Sequence, residues 1–340
     1  MKKLLTLLAL TMSFSMNAQM SDNSSGTSAT GSYAVAMGYS TTASGNNSTA
    51  MGDGTTASGS RSTAMGDFTT ASGFYATAMG SGTTASDFYS TAMGSGTTAS
   101  GIASTSMGYE TIASADYSTA IGRGNTASAD YSTATGRATT ASGANSTSMG
   151  HSTTASGSNS TAMGRYTTAS DYASLVIGQY NSSGSSATSA SSFNTSNTAF
   201  VIGNGADSSN KSDAFKVMFN GDTTVGGDIT ISSDARLKSN IASLGATLSK
   251  LLLIDGKSYE KDGKQRIGVL AQEIQEVFPE LVTEDDNEML AVNYQGLVPV
   301  LINALKEQDA KMNEQKTKFE KQQAEIDELK EMVQALASRD

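Results

Sequence analysis

The chain reads as mainly β: a solenoid head of fourteen-residue coils, a short β neck, then an α+β domain ending in one long helix. Three observations predict this. Eleven glycines (Gly38, Gly52, Gly66, Gly80, Gly94, Gly108, Gly122, Gly136, Gly150, Gly164 and Gly178) stand at an unbroken spacing of fourteen. Composition changes abruptly at Ser233, where glycine thins and Leu, Lys and Glu rise. From Val298 to Leu336, core-type positions recur at alternating intervals of three and four.

A fixed short period means one structural unit stacked many times. Each unit closes on a phrase such as Ser48-Thr49-Ala50-Met51-Gly52, and Thr55-Thr56-Ala57-Ser58 lies half a unit away. Fourteen residues are too few for a helical hairpin and suit two short strands and two turns. Strand alternation predicts Thr49 and Met51 on one face, Ala50 and Gly52 on the other. The Met position holds Met or Ile in every unit from Met37 to Ile177 except at Thr135. Stacked coils would bury the alanine face. The Met/Ile stripe then needs a partner, most simply identical neighbouring chains. The recurrent glycine fits a positive φ or close approach between coils.

Over residues 31–178 this unit resembles the head repeat of YadA-like trimeric autotransporter adhesins. The resemblance implies a left-handed parallel β-roll, three of which pack into a trimeric head. The family's C-terminal membrane β-strands find no counterpart in the polar helix that closes this sequence.

The N-terminus has the form of a secretory signal over residues 1–19: Lys2 and Lys3, an apolar run from Leu4 to Phe14, and cleavage expected after Ala18 or Gln19. No other stretch is long and apolar enough for a membrane span. Absence of cysteine excludes disulfides, thiolate metal sites and a lipoprotein anchor. No metal or cofactor is expected. A net charge of −10 argues against nucleic acid and against an anionic membrane surface.

The head is expected to span 20–178, with a terminal coil and neck over 179–232. From Gln179 to Asn197 the repeat dissolves into Ser, Asn, Thr and Gly, a loop composition. Ala199-Phe-Val-Ile-Gly203 echoes the repeat once more. Phe215 to Ser232 alternates apolar and polar around Asn220-Gly221 and Gly226-Gly227, which predicts short strands.

In residues 233–340, Asp262-Gly263 marks a hairpin within 256–268, and Val269 to Phe278 has helical spacing that stops at Pro279. Strands are expected over 281–283 and 289–292, and a single helix from Tyr294. Its seam runs through Val298, Leu301, Leu305, Gln308, Met312, Gln315, Phe319, Gln322, Ile326, Leu329, Val333 and Leu336, a coiled-coil pattern with charged flanks. Three glutamines in that seam leave its stoichiometry open.

The run Ser233-Asp-Ala-Arg-Leu-Lys238 is followed by Ile267-Gly-Val-Leu-Ala-Gln-Glu-Ile274, Pro279-Glu-Leu-Val282 and Asn293-Tyr294 leading into Leu297–Glu307. Together they resemble the C-terminal intramolecular chaperone of phage tailspikes and endosialidases. The resemblance implies a trimeric chaperone that registers three chains and then cuts itself off between Ser232 and Ser233. It places the nucleophile on Ser233, the base on Lys238 and an acidic neighbour on Asp234. The residues agree: a serine nucleophile needs a base, and the only histidine, His151, lies in the head. Lysine serves once desolvation lowers its pKa. Read alone, the run is more readily a helix N-cap followed by surface charges; the downstream motifs turn the reading towards the dyad. Asp234 either orients the site or caps the helix.

His151 itself reads as a turn residue. Turn aromatics such as Tyr75, Tyr89, Tyr117 and Tyr131 read as packing between coils, with an adhesive surface as the alternative. The expected protein is a secreted, extracellular or surface-displayed homotrimeric fibre, adhesin-like, whose peptidase acts once on its own chain. A host or surface glycan, or a matrix protein, is the partner class for an adhesin. The rivals are a purely structural fibre and a phage-derived tail fibre, the latter disfavoured by the signal-like N-terminus.

Overall fold

The computed structural model describes residues 20–21, 26–261 and 263–338. The signal-like segment and Asp262 of the expected hairpin turn lie outside the described residues. The chain divides into two compact units, with the boundary between Thr230 and Ile231.

The first unit is a parallel β-solenoid of about eleven turns. Each turn contributes one long and one short strand, such as Thr49–Asp53 and Thr56–Ala57. Long strands stack in chain order into one sheet and short strands into a second of eleven strands. Pairing joins identical positions fourteen apart, as in Thr49 with Thr63, Met51 with Met65 and Gly52 with Gly66. Alanines of the two sheets, Ala50 and Ala57 in this coil, are fully buried. Only small side chains fit between sheets joined by such short turns, so the interior is filled by Ala, Ser and Thr rather than by large hydrophobics.

Where serine replaces alanine, the interior adapts. Ser106 Oγ lies 2.8 Å from Thr111 Oγ1, and Ser148 Oγ lies 2.8 Å from Thr153 Oγ1. Asn125 takes the place of an interior threonine. Its amide donates to the Gly136 carbonyl (2.8 Å), and its side-chain oxygen accepts from the Thr139 N–H (2.9 Å).

The alternation expected of the long strand breaks at its fourth residue. Ala50 points inward, but Gly52 is exposed. Its φ is +124°, a conformation L side chains rarely adopt, and a Cβ there would stand 1.9 Å from the Gly66 carbonyl oxygen of the next coil. Positive φ and close approach therefore act at the same residue.

The turns hold a second regularity. Tyr75, Tyr89, Tyr117 and Tyr131 occupy the left-handed region, with φ of 56–58°. Each donates its backbone N–H to the coil before it, as Tyr75 does to the Ser60 carbonyl and Tyr131 to the Asp116 carbonyl. That bond offsets part of the cost of φ > 0 in a non-glycine residue. Rings in successive coils stack: Tyr75 on Tyr89 at 5.3 Å and 7°, Tyr117 on Tyr131 at 5.0 Å and 3°. They are nonetheless exposed, because the stack runs along the outer edge.

The solenoid ends in a buried carboxylate. Asp171 accepts the Thr188 N–H at 2.6 Å and the Thr198 N–H at 2.8 Å, pinning the middle and the far end of the loop that interrupts the repeat. Thr198–Asn204 then pairs in parallel with Leu175–Gln179. Two antiparallel strands, Asp213–Met218 and Thr223–Val225, complete a short β region.

In the second unit, a short helix α1 (Leu248–Leu251) precedes a hairpin of Lys257–Lys261 with Lys264–Gly268. Helix α2 (Ala271–Val277) follows, then a second hairpin of Val282–Glu284 with Leu290–Val292, and finally α3 (Leu297–Ala337). At 1.5 Å per residue, α3 is about 60 Å long. Ile274, Phe278 and Val300 form the core, with Leu251, Ile254, Val269, Leu281 and Leu297 against it.

Candidate functional site

The segment from Thr223 to Ala246 is almost wholly exposed, and beyond Val225 its only regular element is one turn of 3-10 helix, Ala235–Leu237. That turn has a local cause. Asp234 sits at the N-cap with extended backbone, and its carboxylate accepts the Arg236 N–H at 2.8 Å. The Arg236 guanidinium closes back on the same carboxylate at 2.7 Å. The Arg236 contact, side chain first and then backbone, holds the Asp234 carboxyl below the usual carboxylate range.

The turn folds the chain so that Lys238 reaches back five residues. Lys238 Nζ donates to Ser233 Oγ at 2.5 Å. Ser233 and Lys238 are therefore in direct contact, whereas Asp234 faces Arg236 and contacts neither of them through its side chain. Of the two roles open to Asp234 in the sequence, the geometry displays the cap. Arg236, the partner that neutralises it, was not singled out beforehand, although an acid two residues before an arginine at a cap is a readable signal.

The other motif residues build the frame behind this segment. The Tyr294 hydroxyl accepts the Val269 N–H at 3.1 Å, and a Cβ on Gly268 would fall 2.6 Å from that hydroxyl. Asn293 donates its N–H to the Leu281 carbonyl and caps the turn ahead of α3 through the Gly296 N–H. Glu307 on α3 accepts from the Thr247 N–H (2.6 Å), the Thr247 hydroxyl (3.0 Å) and the Leu248 N–H (3.2 Å). It thereby supplies the start of α1 with the acceptor that its own sequence lacks. These bonds, the Thr247 N–H foremost, hold the Glu307 carboxyl below its usual range. Lys257 bridges Asp255 and Glu273, both at 3.1 Å.

Along α3 only Val300 and Ala304 are buried. Seam residues Val298, Leu301, Leu305, Met312, Phe319, Ile326, Leu329, Val333 and Leu336 are 46–69 % exposed in the single chain. Among the described residues, no group of three or more His, Asp or Glu is placed to hold a metal ion. None of their helices is long and apolar enough to cross a membrane.

Comparison with known proteins covers both units. The YadA head domain repeat matches in successive two-copy windows from residues 29–55 to 155–181. The chaperone of endosialidase family matches residues 233–283. The chain carries YadA head repeats and a chaperone-of-endosialidase domain. That match begins at Ser233, so the serine–lysine contact lies at its first residues. The long tail fiber protein Gp37 of Enterobacteria phage K3 is 35 % identical over 103 residues, and Gp37 of Enterobacteria phage T2 matches to the same extent. Each match covers 27 % of this chain and 8 % of the phage protein. Repeats, chaperone domain and tail-fibre homology together support a fibre, and the relatives suggest an extracellular or surface location.

Proposed function

We propose that the protein is an adhesin-like homotrimeric fibre, displayed outside the cell, whose C-terminal domain registers three chains and then severs itself between Ser232 and Ser233. The observation that carries the cleavage is the 2.5 Å contact between Ser233 Oγ and Lys238 Nζ within an exposed segment that leaves the scissile bond accessible. In this reading Lys238 Nζ serves as the general base. It takes the Ser233 hydroxyl proton as Oγ adds to the Ser232 carbonyl carbon. Collapse of the adduct breaks the Ser232–Ser233 C–N bond, and the proton passes from Nζ to the departing Ser233 nitrogen. The resulting ester is hydrolysed by water, leaving a carboxylate on Ser232 and a free hydroxyl on Ser233. Asp234 holds the turn that brings the two groups together.

The half-exposed Met/Ile stripe of the head and the open α3 seam supply apolar surfaces for the other two chains. The likeness of its repeats to the YadA head supports a left-handed roll. The experiment is intact mass spectrometry of freshly purified protein. Wild type should yield a fragment ending at Ser232 and another beginning at Ser233, whereas Ser233→Ala and Lys238→Ala should each give uncut chains that still trimerise. A single uncut species from folded wild type overturns autoprocessing.

The phage matches favour a second reading, a tail fibre captured for another use, but they reach only a small share of Gp37. The signal-like N-terminus favours export of a cellular protein.

A further inference from the structure

At the last position of each long strand, where the chain enters a turn, one column of residues changes character along the solenoid. The residue following the repeat glycine is acidic at Asp53 and Asp67 and neutral at Ser81 and Ser95. It is then basic in four consecutive coils: Arg123, Arg137, His151 and Arg165 are in register, each paired with the next. At the spacing of neighbouring strands, the four span about 14 Å in single file. Three of the four arginines that precede residue 233 stand in this one column, in a chain of net charge −10.

The three arginines are exposed, and none is ion-paired among the described residues. The acids of the same coils lie at the other turn, across the five-residue strand. There Asp116 accepts the Ile102 N–H and Asp130 the Asp116 N–H. On the ladder's own side, the nearest carboxylate is Glu110, in the turn of the coil before Arg123. Two guanidiniums are steadied by rings: Arg123 lies 5.5 Å from Tyr109, and Arg165 lies 5.2 Å from Tyr166 and 5.5 Å from Tyr180.

We infer that this ladder is a binding site for a linear anionic polysaccharide, lying along the solenoid with its sulfate or carboxylate groups on successive coils. The inference deepens the adhesin-like reading and rests on it. A file one residue wide fits one chain, and three arginines gathered in one column of an otherwise acidic head select an anionic partner. A single-stranded nucleic acid is disfavoured because it needs free aromatic faces for its bases. Here Tyr166 is stacked on Tyr180 at 4.7 Å and both carry Arg165. Packing the ladder at a three-fold axis would gather like charges, so it belongs on the outside of any assembly.

The test uses the full chain with four probes: heparin, alginate, neutral dextran and a single-stranded DNA oligonucleotide. Saturable binding of heparin, alginate or both is expected, weakened by salt, with no binding of dextran. The pair of anionic probes separates sulfate from carboxylate recognition. The triple variant R123S/R137S/R165S should bind roughly tenfold more weakly or worse. Its fold is safe, because Ser81 and Ser95 already occupy the same register position. The charge-matched variant K316S/K318S/K321S on α3 should bind as wild type does. Undiminished binding by the ladder variant, equal loss in the helix variant, DNA bound as tightly as the polysaccharides, or no binding of any polyanion each overturns the site. Light scattering on the same samples tests the trimer separately, so the site can fail while the fibre reading stands.

Discussion

The solenoid closes its interior by itself, whereas the chaperone domain leaves much of its apolar surface open. From Ala50 to Ala169 the strand alanines are completely buried by stacking of each coil on copies fourteen residues away. In the second unit three core residues, Ile274, Phe278 and Val300, carry the fold, while the seam of a 41-residue helix stands in solvent. Under the proposed function, the difference separates two jobs. A repeat supplies its own neighbours within one chain, so its assembly problem is register among near-identical coils. A domain that must set that register has to present its apolar surface to other chains.

The largest effect should come from separating the two regions. A chain ending at Ser232 lacks the α3 seam, whose pattern does not repeat every fourteen residues. A slip by one coil between such chains costs only one coil at each end. We expect the truncated chain to aggregate or to form trimers of mixed register, while the same fragment released from full-length protein stays trimeric on heating. Refolding of the truncated chain from denaturant to an identical, equally heat-resistant trimer would remove the chaperone role.

Next in size is a break within the solenoid. Gly94 has φ +124°, and a Cβ there would lie 2.0 Å from the Gly108 carbonyl oxygen. Gly94→Ala therefore adds backbone strain of about 1–3 kcal/mol to a clash with backbone that cannot swing away. Thermal unfolding should show a marked loss, whereas Gly82→Ala, where nothing stands within 4 Å of the added atom, should show φ strain alone. Equal losses at the two sites would mean that close approach is not what demands glycine.

The same two regions differ in how much of them could be read beforehand. Period fourteen specified the coil, its strands and its buried alanines, because every residue meets its own copy. It did not reveal that Gly52 faces solvent, since alternation assumes β dihedrals and the residue leaves them. Nor did it reveal tyrosines at positive φ: the bond from Tyr75 N–H to Ser60 carbonyl joins neighbouring coils and has no signature in composition. In the second unit, α2 and the second hairpin came within two residues of their bounds, but α1 was missed. Its four residues are held by Glu307, some sixty positions away, and no local signal announces such a partner. At the candidate site, spacing allowed Lys238 to meet Ser233 only if the chain turned, and the Asp234–Arg236 cap is what turns it.

Smaller effects are expected on the outer stripe. Ile121 and Met93 lie on the face that the proposed trimer covers, and an aspartate there would place three carboxylates near one axis, at a cost on the order of several kcal/mol. Ile121→Asp and Met93→Asp should lower the molecular mass seen by light scattering. Asp67→Ser, which copies Ser81 one coil on, should leave it unchanged. A trimer that survives both stripe substitutions would move the interface elsewhere.

The smallest effect tests the frame of the chaperone domain. Glu307 has its carboxyl held below the ordinary range by the Thr247 N–H and its companions. A folded-state value below the unfolded one means that ionised Glu307 favours folding at pH above the unfolded value. That contribution fades as pH falls through the folded value, so it is whole at neutral pH and lost in acid. Because the group is only partly buried, the loss should be modest. Glu307→Gln keeps the shape but weakens the bonds to the start of α1. Stability of residues 233–340 within the full chain, followed by hydrogen exchange at Thr247 and Leu248, should fall at neutral pH and converge with wild type in acid. A gap between the two proteins that persists unchanged into acid would show that Glu307 acts there through packing and not through its charge.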